Sequence, residues 1–294
     1  TPLTMPSLKE YKNKLTSLSN TRKITKTMKM VAASKLYRTM DAQRRASQFY
    51  AKLVEMLSRL AASVDHRSHP LLQARPQPKY ALVITYMSDK GLCGGFNNNL
   101  IKHVARWLNL PELQTKQVTM SFVGRRGWLF FRNRMTVGKL YDGVAAHPSP
   151  GAAVQIAEDA ISGFKSGTYD EVYLAYNHFV NPLSQTPLIK KILPIEPQVI
   201  EAAEEGVHED FLLEPAGPEL LAGLLPKIVN FEVYYALLEN AAGENGARMT
   251  AMDSATSNAN KMIRSYTLLR NRARQASITK ELIEIVSGAE ALKG

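Results

Sequence analysis

Apolar residues in the first part of the chain recur at Leu8, Tyr11, Leu15 and Leu18, resume at Ile24, Met28 and Val31, and return at Leu53, Leu57, Leu60 and Val64. The steps alternate between three and four, the seven-residue seam of a helix that packs against another helix. Ser7 and Glu10 have the Ser-x-x-Glu spacing of a capping box, which predicts a helix start at Ser7. Neither Gly nor Pro occurs between Ser7 and His69. Between the apolar stretches lie Ala32, Ala33, Ala42 and Ala46, small enough to let a neighbouring backbone come close. At ~1.5 Å per residue such a helix would run to roughly 90 Å, longer than an ordinary domain is wide, and is expected to project.

The pattern changes after His69. Pro70, Pro76 and Pro78 end the helical texture, and Tyr80 to Met87 is a continuous apolar run of the kind found in buried strands. Further strands are expected at Gln117 to Val123, Glu171 to His178 and Thr186 to Ile195. Helices are expected at Asn98 to Leu108, around Trp128 to Phe131, and at Ala152 to Phe164. Strands alternating with helices indicate a small Rossmann-like α/β domain with a mostly parallel sheet. Glu196 to Glu219 then holds eight acids and no Lys or Arg, and reads as an exposed connector.

After Pro226 the steps of three and four return at Ile228, Phe231, Tyr235, Leu238 and Ala242, then at Met249, Met252, Thr256, Ala259, Ile263 and Tyr266. Gly243 and Gly246 each cost a helix about 1 kcal/mol relative to Ala, without having to break so long an element. Two long seamed helices thus bracket one globular insert. Pairing them as an antiparallel coiled coil of the two chain ends buries both seams within one molecule. The expected fold class is α/β plus a long antiparallel coiled coil. The expected segments are 1–69 for the first helix, 70–200 for the α/β domain, 201–218 for the acidic connector and 219–294 for the last helix.

Charge sharpens this picture. The chain has 294 residues, a net charge of +11 and a pI near 9.6. Residues 1–60 carry thirteen Lys or Arg against only Glu10, Asp41 and Glu55, so nearly all of the excess sits on the first helix. A purely solubilising face would mix both signs; Lys23, Lys26, Lys29, Lys35, Arg38, Arg44 and Arg45 point to an anionic partner. No run of eighteen apolar residues predicts a membrane span, and the first twenty residues lack the apolar core of a secretory signal. The lone Cys93 excludes an internal disulfide and reads as a small packed residue.

No catalytic constellation emerges. Ser88 to Asn97, SDKGLCGGFN, is glycine-rich and follows a strand. It lacks both the Gly-Lys-Ser/Thr ending of a phosphate loop and the Gly-x-Gly-x-x-Gly of a dinucleotide site, so backbone turns account for its glycines. The six histidines are scattered without metal-ligand spacing or a nucleophile partner. Asp89 and Lys90 read as turn residues. No cofactor or metal is expected. For the basic helix, composition leaves nucleic acid, an anionic membrane surface and an acidic protein partner open, and one function to weigh is a basic coiled-coil protein that binds nucleic acid. That reading lacks interleaved aromatics, a zinc site and any RNA-recognition signature.

Several stretches together resemble the gamma subunit, the central stalk, of the rotary ATP synthase. They are KITKTMKMVAASKL at Lys23 to Leu36, SDKGLCGGFN, ARMTAMDSATSNA at Ala247 to Ala259, and RQASITKELIEIVSGA at Arg274 to Ala289. The resemblance implies a non-catalytic rotor whose terminal helices enter a ring of three alpha and three beta subunits. The α/β domain would stay outside, near the epsilon subunit (delta in mitochondria) and the membrane c-ring. No nucleic acid is then a partner. It also implies that loops of beta and alpha grip Arg274 and Gln275, with Thr279 and Glu281 on the next turn. Met28 and Lys29 would lie on the first helix opposite that segment. Lys23 and Lys26 would face acidic loops of beta, and Ile283, Ile285 and Val286 would sit in an upper bearing. Plant plastid relatives carry an inserted cysteine pair that acts as a redox switch, which a chain with only Cys93 cannot form. The implied location is peripheral, on the cytoplasmic face of a bacterial inner membrane, with the matrix side of the mitochondrial inner membrane as the alternative.

Overall fold

In the computed structural model, residues 7–61, 69–195 and 217–291 are described. Helix α1 spans Leu8–Ala61, and its start is the box expected from sequence: Ser7 N donates to Glu10 Oε2 at 3.0 Å and Glu10 N to Ser7 Oγ at 3.3 Å. Strand β1 (Tyr80–Tyr86) leads to α2 (Phe96–Leu108) and a short α3 (Pro111–Gln114). Then come β2 (Gln117–Val123), α4 (Arg125–Phe131), β3 (Thr136–Tyr141), α5 (Pro150–Lys165), β4 (Glu171–Asn181), β5 (Ser184–Leu193) and α6 (Gly217–Ala291). Val64 and nearly all of the acidic connector at 201–218 lie outside the described residues.

The chain divides into two compact units. One contains residues 1–31 and 249–294, the other Ala32–Arg248. The second unit holds a five-stranded sheet in the order β3-β2-β1-β4-β5, parallel throughout except for the antiparallel β4–β5 pair. β1 is central and buried from Ala81 onward, which is why it reads as an unbroken apolar run. One face of the sheet, with Ile84, Tyr86 and Leu174, packs on α5 and α6 through Ile156, Phe164, Val229 and Val233. The other face, with Val83, Met120 and Phe122, is covered by Leu100 and Val104 of α2 and Phe131 of α4. The resulting helix-sheet-helix layering is the Rossmann-like domain.

Within this unit α1 binds to α6. Tyr50 stacks on Phe231 with ring centroids 4.2 Å apart, and its hydroxyl donates to Glu232 Oε1 at 2.6 Å. Ala46 and Leu238 are buried beside that stack, so the small residue does admit a close neighbour. Glu239, wholly buried, is tied to Gln43 of α1, accepts from the Phe179 N–H at 2.5 Å, and lies 2.8 Å from His178 Nδ1. A buried carboxylate so supplied with donors clamps helix to helix and helix to strand at once.

Several expectations need correction. Ile24 and Val31 are 59% and 53% exposed and do not belong to the seam, whereas Thr25, Ala32 and Leu36 are buried. The inward positions 11, 15, 18, 22, 25, 29, 32 and 36 keep an uninterrupted seven-residue repeat that uses small and polar side chains where larger apolar ones were sought. Strand β3 was not expected: an edge strand exposed along most of its length carries no clean alternation. Pro226 lies inside α6, as it does in the expected bounds 219–294, and Leu224, Leu225, Ile228 and Val229 are buried around it and offset the lost hydrogen bond.

Gly243 and Gly246 do not break α6, and their role there is steric. A Cβ at Gly243 would lie 2.9 Å from Phe96 Cε2, and one at Gly246 would lie 3.0 Å from Pro182 Cα. Arg248, paired with Glu244 at 2.7 Å, also donates to the carbonyls of Lys90 and Gly91 at 3.4 and 3.2 Å. The glycine-rich stretch is thus held against α6 by its own backbone. Cys93 is buried beside Phe96 and Ala247, and burial pushes its thiol pKa up, as suits a packed residue rather than a reactive one.

Candidate functional site

The first unit consists of the early part of α1 and the late part of α6, and the two run antiparallel. Lys29 Nζ lies 2.6 Å from Asp253 Oδ1, Thr25 Oγ1 lies 2.7 Å from Thr256 Oγ1, and the Tyr11 and Tyr266 ring centroids are 6.3 Å apart. As the number on α1 falls, the partner's number on α6 rises, which is what antiparallel strands of a coiled coil require. On α6 the inward positions Met252, Thr256, Ala259, Ile263, Tyr266, Arg270, Ala273 and Ser277 follow the same alternation of threes and fours. The helices expected to find each other from sequence do so, with the seam residues named on α6 facing inward.

Outside the seam this unit is cationic on the α1 side. Lys9, Lys12, Lys14, Lys23 and Lys26 are exposed, against the single acid Glu10. Lys29 is half-buried and spends its charge on Asp253, a pairing sequence reading missed; Asp253 follows the seam residue Met252, which is the signal that could have found it. Met28 is half-buried beside it. The register therefore sets Met28 and Lys29 across from Asp253 rather than across from Arg274, which lies twenty-one residues further along α6, some ~30 Å at a helical rise. The expectation that they face the Arg274 segment is corrected accordingly.

Arg274 and Gln275 are exposed. Thr279 is exposed too, with its hydroxyl donating to the Gln275 carbonyl at 3.0 Å, and Glu281 accepts from Ser277 Oγ at 3.1 Å. These bonds stay within one helix and leave the guanidinium of Arg274 free of any ion pair among the described residues. Beyond Ser277 the seam has ended, yet the apolar residues continue. Ile283 and Ile285 are 59% and 67% exposed, and Ile278, Leu282 and Val286 are exposed beside them. A five-residue apolar surface on a bare helix marks a contact site. Among the described residues, no group of three or more His, Cys, Asp or Glu is placed to hold a metal ion, and no helix is long and apolar enough to cross a membrane.

The site is thus a charged, two-helix surface with an apolar end. A family model described as ATP synthase matches residues 7–292. The ATP synthase gamma chain of Geobacter metallireducens is 46% identical over 290 residues, covering 99% of this chain and all of that relative. The gamma chain of Anaeromyxobacter sp. strain K is 44% identical, covering 98% and all of it. Among solved structures, a chain of the central stalk and c-ring of the Tetrahymena thermophila mitochondrial ATP synthase is 26% identical. Its TM-score is 0.57, over 79% of this chain and 99% of that one. A chain of the Euglena gracilis mitochondrial ATP synthase, at 21% identity and a TM-score of 0.65, covers 97% of this chain and 94% of itself and shares the fold. With terminal helices that pair, a parallel sheet between them and relatives matched from end to end, the chain belongs to the ATP synthase gamma chain family.

Proposed function

We propose that this chain is the turning shaft of an ATP synthase, a subunit without catalysis of its own that couples rotation of the membrane c-ring to conformational change at the nucleotide sites of three alpha and three beta subunits. The observation that carries the reading is the antiparallel pairing of the two chain ends into one seamed element that finishes in an exposed apolar segment. Interlocked side chains along such a seam resist twisting, and a two-helix cross-section has no threefold symmetry. Three identical sites around it must therefore differ at any instant. The relatives offer no support for the nucleic-acid alternative.

In this reading Arg274 and Gln275, with Thr279 and Glu281, are the positions that alpha and beta loops grip, because they are polar, exposed and grouped around the end of the seam at Ser277. Lys23 and Lys26 present the α1 side to acidic loops of beta, and Met28 and Lys29, the latter paired with Asp253, add contact with the ring. Ile283, Ile285 and Val286 form the bearing. The α/β domain at 70–200 contacts epsilon and the c-ring, with 1–69, 201–218 and 219–294 as the first helix, the connector and the last helix. The location is the cytoplasmic face of a bacterial inner membrane, reached through the complex.

The test is reconstitution. Arg274→Ala combined with Gln275→Ala impairs ATP turnover by the alpha-beta ring assembled with this chain, while nucleotide binding to isolated beta is unchanged. Normal coupled turnover in the double variant would remove these residues from the mechanism.

A further inference from the structure

Helix α4 and the turn after it form a second surface, wholly within the unit of residues 32–248. From Leu113 to Tyr141 the sequence has six Lys or Arg and no acid. Acids from elsewhere in the fold pair with three of them: Glu171 with Lys116, Asp142 with Arg125 at 2.6 Å, and Asp159 with Lys139 at 2.6 Å. The other three, Arg126, Arg132 and Arg134, are exposed and form no ion pair among the described residues. The unpaired charge of this half of the sheet is therefore gathered on α4 and the few residues that follow it.

The packing of α4 decides what it displays. Gly127 and Phe131, one turn apart, face the sheet: a Cβ at Gly127 would lie 3.0 Å from Phe122 Cδ1, and Phe131 stacks on Phe122 with ring centroids 6.2 Å apart. Helical spacing then turns Arg126, Leu129 and Phe130, at i, i+3 and i+4, to the opposite side. Leu129 is 49% exposed and Phe130 36%. Arg134 Cζ lies over the Phe130 ring at 4.0 Å from its centroid, and Arg132 Cζ over the Trp128 ring at 4.6 Å. Each stacked pair joins an apolar ring to a weakly hydrated cation. The stretch Arg125 to Arg134 thus interleaves cations with aromatics, a pattern that sequence reading overlooked.

We propose that this surface docks directly on an anionic phospholipid bilayer. Leu129 and Phe130 enter the headgroup layer, while Arg126, Arg132 and Arg134 stay among the phosphates. A bilayer supplies apolar chains and a plane of negative charge together and demands no shaped socket. Nucleic acid fits less well, because arginines already lie on the ring faces of Phe130 and Trp128 that a base would use. An acidic protein surface would satisfy the arginines but gives Leu129 and Phe130 no apolar layer to enter. The choice of a bilayer rests on the membrane location proposed above, which is reached through other subunits; the direct contact goes beyond it.

The experiment sediments the purified full chain with vesicles of phosphatidylcholine and phosphatidylglycerol in about a two-to-one ratio, with pure phosphatidylcholine as the neutral arm. Expected is binding to the anionic vesicles alone, weakened about fivefold by each of Arg126→Gln, Arg132→Gln and Arg134→Gln and roughly a hundredfold by all three. Leu129→Ser with Phe130→Ser leaves the charge untouched and should weaken binding about tenfold, the order expected for two half-exposed apolar side chains. Lys9→Gln, Lys12→Gln and Lys14→Gln together remove the same net charge from α1 and should change it less than about twofold. Circular dichroism establishes that each variant is folded, and the arginine variants keep the test decisive if the serine pair does not fold. Absent binding, equal binding to neutral vesicles, or equal losses in the arginine and lysine triples would overturn the proposal; the last would show that bulk charge, and not α4, is read. Full affinity in the serine pair would overturn it too, leaving a surface that reads charge alone, as an acidic protein or nucleic acid would use. Hydroxyl-radical footprinting of the alpha-beta ring assembled with this chain and epsilon should show Leu129 and Phe130 reactive. Protection there would mean that another subunit covers α4, with the same consequence. Each of these failures leaves the shaft reading standing, since turnover of the Arg274 and Gln275 variant decides that separately.

Discussion

Thr25 and Thr256, 231 positions apart in sequence, face each other across the terminal seam with their hydroxyl oxygens 2.7 Å apart. Each hydroxyl also has a carbonyl of its own helix within reach, that of Met252 at 2.7 Å from Thr256 and that of Arg22 at 3.2 Å from Thr25, so either one can donate across the seam. Thr25→Val removes a bond from a buried position and is expected to cost about 1 kcal/mol of unfolding free energy. The double replacement by Val removes both hydroxyls from the seam and should come close to neutral. A double-mutant cycle in urea reads the difference; strictly additive losses would show that the two hydroxyls do not interact.

Glu239 is the buried carboxylate that ties α1, α6 and β4 together in the larger unit. Glu239→Gln keeps the shape but turns an NH2 toward groups that already donate, the Phe179 N–H and the Gln43 amide. The expected loss is about 2–4 kcal/mol, far above that of an exposed pair such as Lys52 and Glu55, and a denaturant midpoint checks it.

Gly246→Ala sets two effects against each other. Alanine favours a helix interior over glycine by about 1 kcal/mol. Here the new methyl would sit 3.0 Å from Pro182 Cα and 3.2 Å from Phe179 Cε2, and the first of these is backbone that cannot swing aside. Sterics wins, and a net loss of about 1–2 kcal/mol is expected. Gly288→Ala, with nothing within 4 Å, should instead be neutral or stabilising, which makes it the control.

Asp170 gives the molecule an acid limb. Burial opposes its carboxylate, but the N–H groups of Tyr80 and Lys79, at 2.8 and 2.7 Å, and the Arg75 guanidinium at 2.6 Å outweigh burial and hold its pKa below the ordinary value. Since the folded value is the lower one, the stabilisation is complete above about pH 4 and is lost as pH falls through the folded pKa. Asp170→Asn should flatten that limb. Urea midpoints taken from about pH 5 down to pH 3 would show it, and an unchanged slope would assign the limb to other carboxylates.

What could be read from sequence follows from how local the signals are. The Ser7–Glu10 box, the apolar run of β1 and the seam on α6 each depend on neighbours in the chain, and the structure repeats them. The seam on α1 was misplaced at Ile24 and Val31 because its true inward positions include Arg22, Thr25 and Lys29, which only a partner helix makes inward. Glu239 carried no signal at all: its partners, Gln43, His178 and Phe179, come from other elements. The exposed Ile278 to Val286 segment shows the limit most clearly. Its spacing continues that of the seam, and nothing in it announces that the partner helix is no longer alongside.

In parallel sheets of this strand order, the cleft beside the carboxyl ends of β1 and β4 is where a mononucleotide usually docks. Here α6 is the tenant. Gly243 and Gly246 bring it flush against Phe96 and Pro182, and Arg248 fastens it to the carbonyls of Lys90 and Gly91. Because tenant and cleft share one polypeptide, the local concentration of the occupant is fixed by covalent linkage, and no metabolite can compete it away at any cellular level. A sheet of the nucleotide-binding kind is thereby made indifferent to the very compound whose synthesis the surrounding machine performs.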